Sequence, residues 1–181
     1  MSIDEILKVY SETPQVKQLI SQLKDNPDSP FRGQGGDIFL SGLIGSQDAF
    51  IAAAVFKQTD FNHLFVMGDK EEAAYFQNNL KNLLGSKDIF FFPDSFRRPQ
   101  DFTELNNNNV LLRTETVNRI SNSNSKAELV VTYAEALFEK VVRQDVLNEQ
   151  TLRMKVNEKL DLDFMIDLLV DFEFERVDFV Y

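Results

Sequence analysis

Residues 41–49 read S-G-L-I-G-S-Q-D-A, between a short apolar run and a helical stretch. Glycines at such a junction can let backbone N–H groups close around phosphate. In the P-loop pattern G-x-x-x-x-G-K-[ST] the lysine also reaches the β/γ-phosphates, and the hydroxyl holds Mg²⁺. Aligned on Gly42, the second motif glycine falls on Gln47, the lysine on Asp48 and the Ser/Thr on Ala49. A carboxylate about 4 Å from a phosphate oxygen costs roughly 4 kcal/mol per charge pair at an effective dielectric of about 20. The lysine's attraction is lost with it, so nucleotide hydrolysis is not expected at this loop. The same residues suit a strand-to-helix turn. Gly42 and Gly45 permit a tight backbone, Ser46 is a suitable N-cap, and Asp48 suits the positive end of the helix dipole. The structural turn is the favoured reading, and a divergent nucleotide-binding loop is the alternative.

Other reactive side chains are sparse. Asp94 and Ser95 follow an apolar strand, at the strand end where open α/β sheets hold ligands; the competing reading is a Pro-Asp turn. Arg97 and Arg98 are the densest basic pair, able to meet a phosphate or an acidic partner, though such pairs more often sit on a solvated loop. Glu115 and Glu135 lie on expected helices without a partner base. There is no cysteine and a single histidine, His63, so no nucleophilic triad and no Cys/His metal set is supported.

These residues need elements to position them. Residues 3–24 predict one or two helices, with Ile3, Ile6, Leu7 and Tyr10 on one face and Val16, Leu19, Ile20 and Leu23 on the next. Residues 25–36 have linker composition. From there, short apolar runs at 38–40, 64–67, 89–92 and 129–132 predict strands. They alternate with helices over 47–56, 70–84, 110–120 and 134–141. Leu112, Thr116 and Ile120 are expected on the inner face of the third of these helices, and a loop is expected from Pro93 to the 106–109 asparagine tract. Such alternation implies a parallel sheet with helices on both faces. After Gln144 the pattern changes. Residues 152–156 alternate like a half-buried strand, 161–169 read as a helix, and the phenylalanines from Phe172 onward read as another strand. The expected organisation is residues 1–36 as N-terminal helices and linker, 37–143 as an α/β domain, and 144–181 as the beginning of a second, small α+β domain. A chain that stops within a strand is expected to be the N-terminal piece of a longer protein.

The formal net charge of −10 argues against generic phosphate-backbone binding. An acidic surface could face a basic protein, although solubility alone accounts for most such surfaces. No apolar run approaches the length needed to span a bilayer, and the N-terminus is acidic and amphipathic, unlike a signal peptide. A cytoplasmic location is expected.

The blocks G-L-I-G-S-Q-D-A-F-I-A-A (42–53), F-V-M-G-D-K-E-E-A-A-Y-F-Q-N-N-L (65–80) and F-F-P-D-S-F-R-R-P (91–99) occur in one order with L-L-R-T-E-T-V-N-R (111–119), V-V-T-Y-A-E-A-L-F-E-K-V-V (130–142) and R-V-D-F-V-Y (176–181). Together they resemble the amino-terminal region of the bacterial transcription-repair coupling factors. That region is similar in turn to the excision-repair protein UvrB, which carries an intact P-loop at the place of residues 42–49. The resemblance implies a degenerate P-loop NTPase-like fold without its own ATPase activity. It implies a parent protein that uses ATP and Mg²⁺ to translocate on DNA, displaces stalled RNA polymerase and recruits UvrA. It also implies that this region serves UvrA recruitment and autoinhibition through intramolecular contact with downstream domains. The main UvrA-contacting surface would follow Tyr181. No catalytic, metal or cofactor residue is carried over, and Arg97 and Arg98 stand as candidate partner contacts.

Overall fold

The computed structural model describes residues 2–25, 38–85, 89–98, 101–122, 127–149, 152, 154–157, 159–172 and 174. They divide into a first unit, Met1–Val142, and a second, Arg143–Tyr181.

The first unit is built on three parallel strands in the order β1 (His63–Met67), β5 (Leu129–Tyr133), β2 (Ile89–Phe92). The register sets Phe65 beside Val131 and Phe91 beside Val131, so His63, Phe65, Met67, Leu129, Val131, Ile89 and Phe91 share one face. Helix α4 (Lys70–Leu84) covers that face with Ala73, Phe76, Leu80 and Leu83. Its ends follow from sequence chemistry. The Asp69 carboxylate accepts from the Glu72 N–H, and Gly85 closes the helix at φ 60°. On the opposite face α5 (Asn107–Asn122) lies over β2, with the Arg113 guanidinium 4.1 Å from the Phe92 ring centre. Helices on both faces of a parallel sheet are therefore present, as expected, with three strands in the sheet among the described residues.

Helix α3 (Gln47–Phe56) is alanine-rich, so α1 (Ile3–Glu12) and α2 (Pro14–Asp25) approach it closely. Leu7 joins the main core, while Val16, Leu19 and Ile20 form a second cluster with Ala54 and Val55. Ser2 caps α1 with a reciprocal capping box to Glu5. Of the expected face on α1, Ile3 is exposed.

Several expectations are corrected. Residues 38–40 form no strand, and Ile38, Phe39 and Leu40 are exposed. A strand requires a paired neighbour, and among the described residues these have none in the sheet. The expected loop after Pro93 contains an antiparallel hairpin, β3 (Phe96–Arg98) with β4 (Asp101–Leu105). Helix α5 begins three residues earlier than expected, because the Asn106 side chain accepts from the N–H groups of Asn108 and Asn109. Its inward residues are Asn109, Arg113 and Thr116, while Leu112 and Ile120 face outward. Helix α6 (Ala134–Phe138) ends before the expected 141.

The second unit contains α7 (Gln144–Glu149) and α8 (Leu162–Asp171), the latter capped by Asp161. Among its described residues no strand forms. Leu152, Met154 and Val156 are exposed, and the chain turns at Asn157 with φ 70°. Alternating apolarity had no sheet to join. The strand expected over 172–181 lies almost wholly outside the described residues.

Candidate functional site

The 41–49 loop turns through left-handed Gly42 (φ 77°) and Gly45 (φ 59°), as tight geometry at those two positions requires. What it offers an anion is little. The Gln47 N–H is directed to the Ile44 carbonyl at 3.4 Å and the Phe50 N–H to the Ser46 carbonyl at 3.2 Å. The Ala49 N–H donates to the Asp48 carboxylate at 2.6 Å, and the Gln47 side chain turns back to accept from the Ile44 N–H at 2.9 Å. The N–H groups of Ile44, Gln47 and Ala49, three of those near the helix start where phosphate is usually cradled, are thus engaged within the loop itself. Ser46 occupies the N-cap position without a side-chain cap bond, a correction to its expected role, since Asp48 holds an N–H of that turn instead. The residues present do not fit a nucleotide's phosphates: a carboxylate stands at the lysine position and a methyl group at the hydroxyl position.

The richest polar cluster lies at the carboxyl ends of β2 and β5. Asp94 and Ser95 are buried there. The Tyr133 phenol donates to the Asp94 carboxylate at 2.7 Å and accepts from the Asp94 N–H at 2.9 Å. Lys70, at the start of α4, stands 3.5 Å from the same carboxylate. The Ser95 N–H and hydroxyl both donate to Glu139. The Asn109 amide donates to the Asp94 carbonyl at 2.8 Å. Arg113 donates to the carbonyls of Pro93 (2.6 Å), Ala136 (3.1 Å) and Glu139 (3.3 Å), and its Nε is 3.5 Å from the Glu139 carboxylate.

Burial pushes the Tyr133 phenol above its ordinary range. Burial also lowers Arg113, opposed by the Glu139 and Asp94 charges. Among the described residues no buried side-chain nitrogen or oxygen lacks a partner. The cluster therefore fastens α4, α5, α6 and the root of the β3–β4 hairpin to the strand ends, with its buried side-chain polar atoms engaged. Asp94 and Ser95 lie in an irregular segment that bends at Ser95 between β2 and β3, and both are buried and highly bonded.

Sequence reading missed Lys70, Asn109, Arg113, Tyr133 and Glu139. A signal existed in α5, where 109, 113 and 116 follow helical spacing as well as 112, 116 and 120 do; the apolar set was simply preferred. Arg97 and Arg98 fall on β3, with Arg98 opposite Asp101 in the register; their side chains lie outside the described ones. Glu115 and Glu135 are exposed on α5 and α6. Among the described residues no group of three or more His, Asp or Glu side chains could hold a metal ion.

His63 is half-buried at the head of β1. Its Nε2 lies 2.7 Å from the Thr59 hydroxyl, and its ring stacks 4.9 Å from Phe61. Burial lowers its pKa below 6.5. The folded state thus binds a proton less readily than the unfolded chain. The neutral ring's contribution is fully present above pH 6.5 and is lost as pH falls from there through the lowered value. Urea unfolding midpoints should accordingly fall from pH 7.5 to pH 5.5, and by less in His63→Gln. Equal falls in both proteins would remove His63 as the cause.

No family model matches the chain. Curated relatives do match. The transcription-repair-coupling factor of Rickettsia typhi (strain Wilmington) is 28% identical over 121 residues, 66% of this chain and 11% of that protein. That of Rickettsia bellii is 28% identical over 129 residues, 71% of this chain and 11% of that protein. The chain resembles the transcription-repair-coupling factors. The Rickettsia prowazekii transcription-repair-coupling factor gives the same picture, 28% identity over 120 residues and again 11% of its length. The likeness read from the ordered blocks is met, and the chain spans about a ninth of the length of these transcription-repair-coupling factors.

Proposed function

We propose that the chain is an N-terminal, non-catalytic, UvrB-like module of a cytoplasmic transcription-repair-coupling factor and that it works by protein contact. In this reading it supports recruitment of UvrA and restrains the motor through intramolecular contact. ATP, Mg²⁺, DNA and RNA polymerase are handled by the remainder of the parent protein. The observation that carries the reading is the helix start in which the Ile44, Gln47 and Ala49 N–H groups bond within the loop, with Asp48 and Ala49 where the phosphate-binding side chains would be. The similarity to transcription-repair-coupling factors supports the rest. It accounts for a nucleotide-type scaffold kept without nucleotide chemistry, since the scaffold still holds its neighbours in place.

The test is capture of UvrA. The full parent protein should bind it and support strand-specific repair, whereas the 181-residue chain alone should bind weakly or not at all. A parent that does neither, or a sub-micromolar complex with the chain alone, would contradict the proposal. The second reading, a divergent nucleotide site with residual ATP binding, draws on the left-handed glycines at 42 and 45. It requires saturable ATP·Mg²⁺ binding that Gly45→Val removes.

A further inference from the structure

Protein interiors hold few voids larger than a water molecule. The first unit has a larger one, a cavity of about 270 Å³ over the Phe65 face of the sheet. Its walls are Leu19 of α2, Ile51 and Val55 of α3, Phe65 of β1 and Phe76 of α4. The exposed Leu40 and Asp48 also line it, so it opens to solvent. A dry apolar cavity of about 150 Å³ is enough to take benzene. This one has room for an aromatic ring on a short tether.

Its charge is of one sign. Among the described residues that line it, Asp48 is the one carboxylate, and none is lysine or arginine. His63 lines it as well. The Nε2 of that ring is engaged by Thr59, and burial lowers its pKa below 6.5, so it adds no positive charge at neutral pH. The Ala49 N–H takes one acceptor position of the Asp48 carboxylate, and a carboxylate offers about four. Pockets for small molecules have this make-up, an apolar wall with a few polar groups that fix orientation.

We propose that the cavity binds a small arylalkylammonium ion, its ring against the wall of α2, α3 and α4 and its ammonium against Asp48. The residue that stands at the lysine position of the 41–49 loop then reverses the selectivity of that corner, from anion to cation. The proposal concerns the first unit alone and is independent of any contact made by a parent protein.

The test is a titration of the 181-residue chain at neutral pH with phenethylammonium, phenethyl alcohol and hydrocinnamate, followed by amide chemical shifts. The ammonium should bind saturably at about 1 mM or tighter, with shifts at residues 51–55 and 63–67. The alcohol, of the same shape, should bind about fivefold more weakly, the upper range for an ion pair that keeps solvent contact. The carboxylate should bind more weakly still. Asp48→Asn should bring the ammonium to the level of the alcohol. Ala52 lines the cavity, so Ala52→Leu should remove binding of both while leaving the melting temperature unchanged or higher. The ligand series needs no variant, and it decides the matter if Ala52→Leu fails to fold. Absence of saturable binding overturns the proposal. So does equal affinity for ammonium and carboxylate, or a preference for ammonium that survives Asp48→Asn. Shifts confined to other parts of the chain overturn it too, since they would mark adventitious binding to an acidic surface.

Discussion

Replacing Arg113 by methionine is expected to destabilise the first unit by about 3–5 kcal/mol, the range for removing one partner of a buried ion pair. The arginine is 6% exposed and serves four acceptors at once: the carbonyls of Pro93, Ala136 and Glu139, and the Glu139 carboxylate. It also stacks on Phe92. Methionine restores the stacking volume but takes the side-chain donor from the Pro93, Ala136 and Glu139 carbonyls, while the Glu139 carboxylate keeps its bonds from Ser95; each buried oxygen left without a donor costs about 1–3 kcal/mol. Lysine should rescue little, because a point charge cannot reach acceptors arranged around a planar fork. For a unit of this size the loss corresponds to a melting temperature lower by roughly 10 °C. Circular dichroism melts of Arg113→Met, Arg113→Lys and Glu139→Gln would check this. An Arg113→Met midpoint within about 2 °C of the parent sequence would mean that the polar cluster is not what fastens the strand ends.

Leu80→Ala should cost about 2–5 kcal/mol. Leu80 is wholly buried on the inner face of α4, in the cluster that includes Ala73, Phe76, Leu83 and the strand residues Leu129 and Val131. Removing the isobutyl group opens a void between helix and sheet that rigid neighbours fill only in part. Tyr75, on the same helix and 74% exposed, is the control, and Tyr75→Ala should fall within about 0.5 kcal/mol of the starting protein. Urea titration measures both. A Leu80→Ala effect no larger than that of Tyr75→Ala would mean that α4 is not seated on the sheet as described.

The elements that were legible in the sequence are those whose signal is local. Asp69 and Gly85 mark both ends of α4 within one residue, because a cap and a left-handed terminator act on their own turn. The runs at 64–67, 89–92 and 129–132 fall on strands because each is apolar on both faces and finds a neighbour. Residues 38–40, 152 and 154–156 carry apolar signals and are in no strand: pairing is a property of the neighbour, which local composition does not report. The β3–β4 hairpin escaped for the related reason that F-R-R and D-F-T-E-L alternate only weakly. At the loop, residue type alone shows that Gln47, Asp48 and Ala49 depart from the P-loop pattern, and the proposed loss of phosphate chemistry rests on that departure. The Asp94–Tyr133–Arg113–Glu139 cluster was not, since it joins positions up to 45 apart in the chain and arginine on a helix reads as solvent-facing.

We propose, as the central claim, that a nucleotide-type scaffold persists here without its phosphate chemistry. Isothermal titration of ATP·Mg²⁺ into the 181-residue chain tests it most directly. The account predicts no saturable heat up to about 5 mM nucleotide, where even a millimolar site, worth about −4 kcal/mol, would register. Saturable binding tighter than about 1 mM, abolished by Gly45→Val, would contradict it.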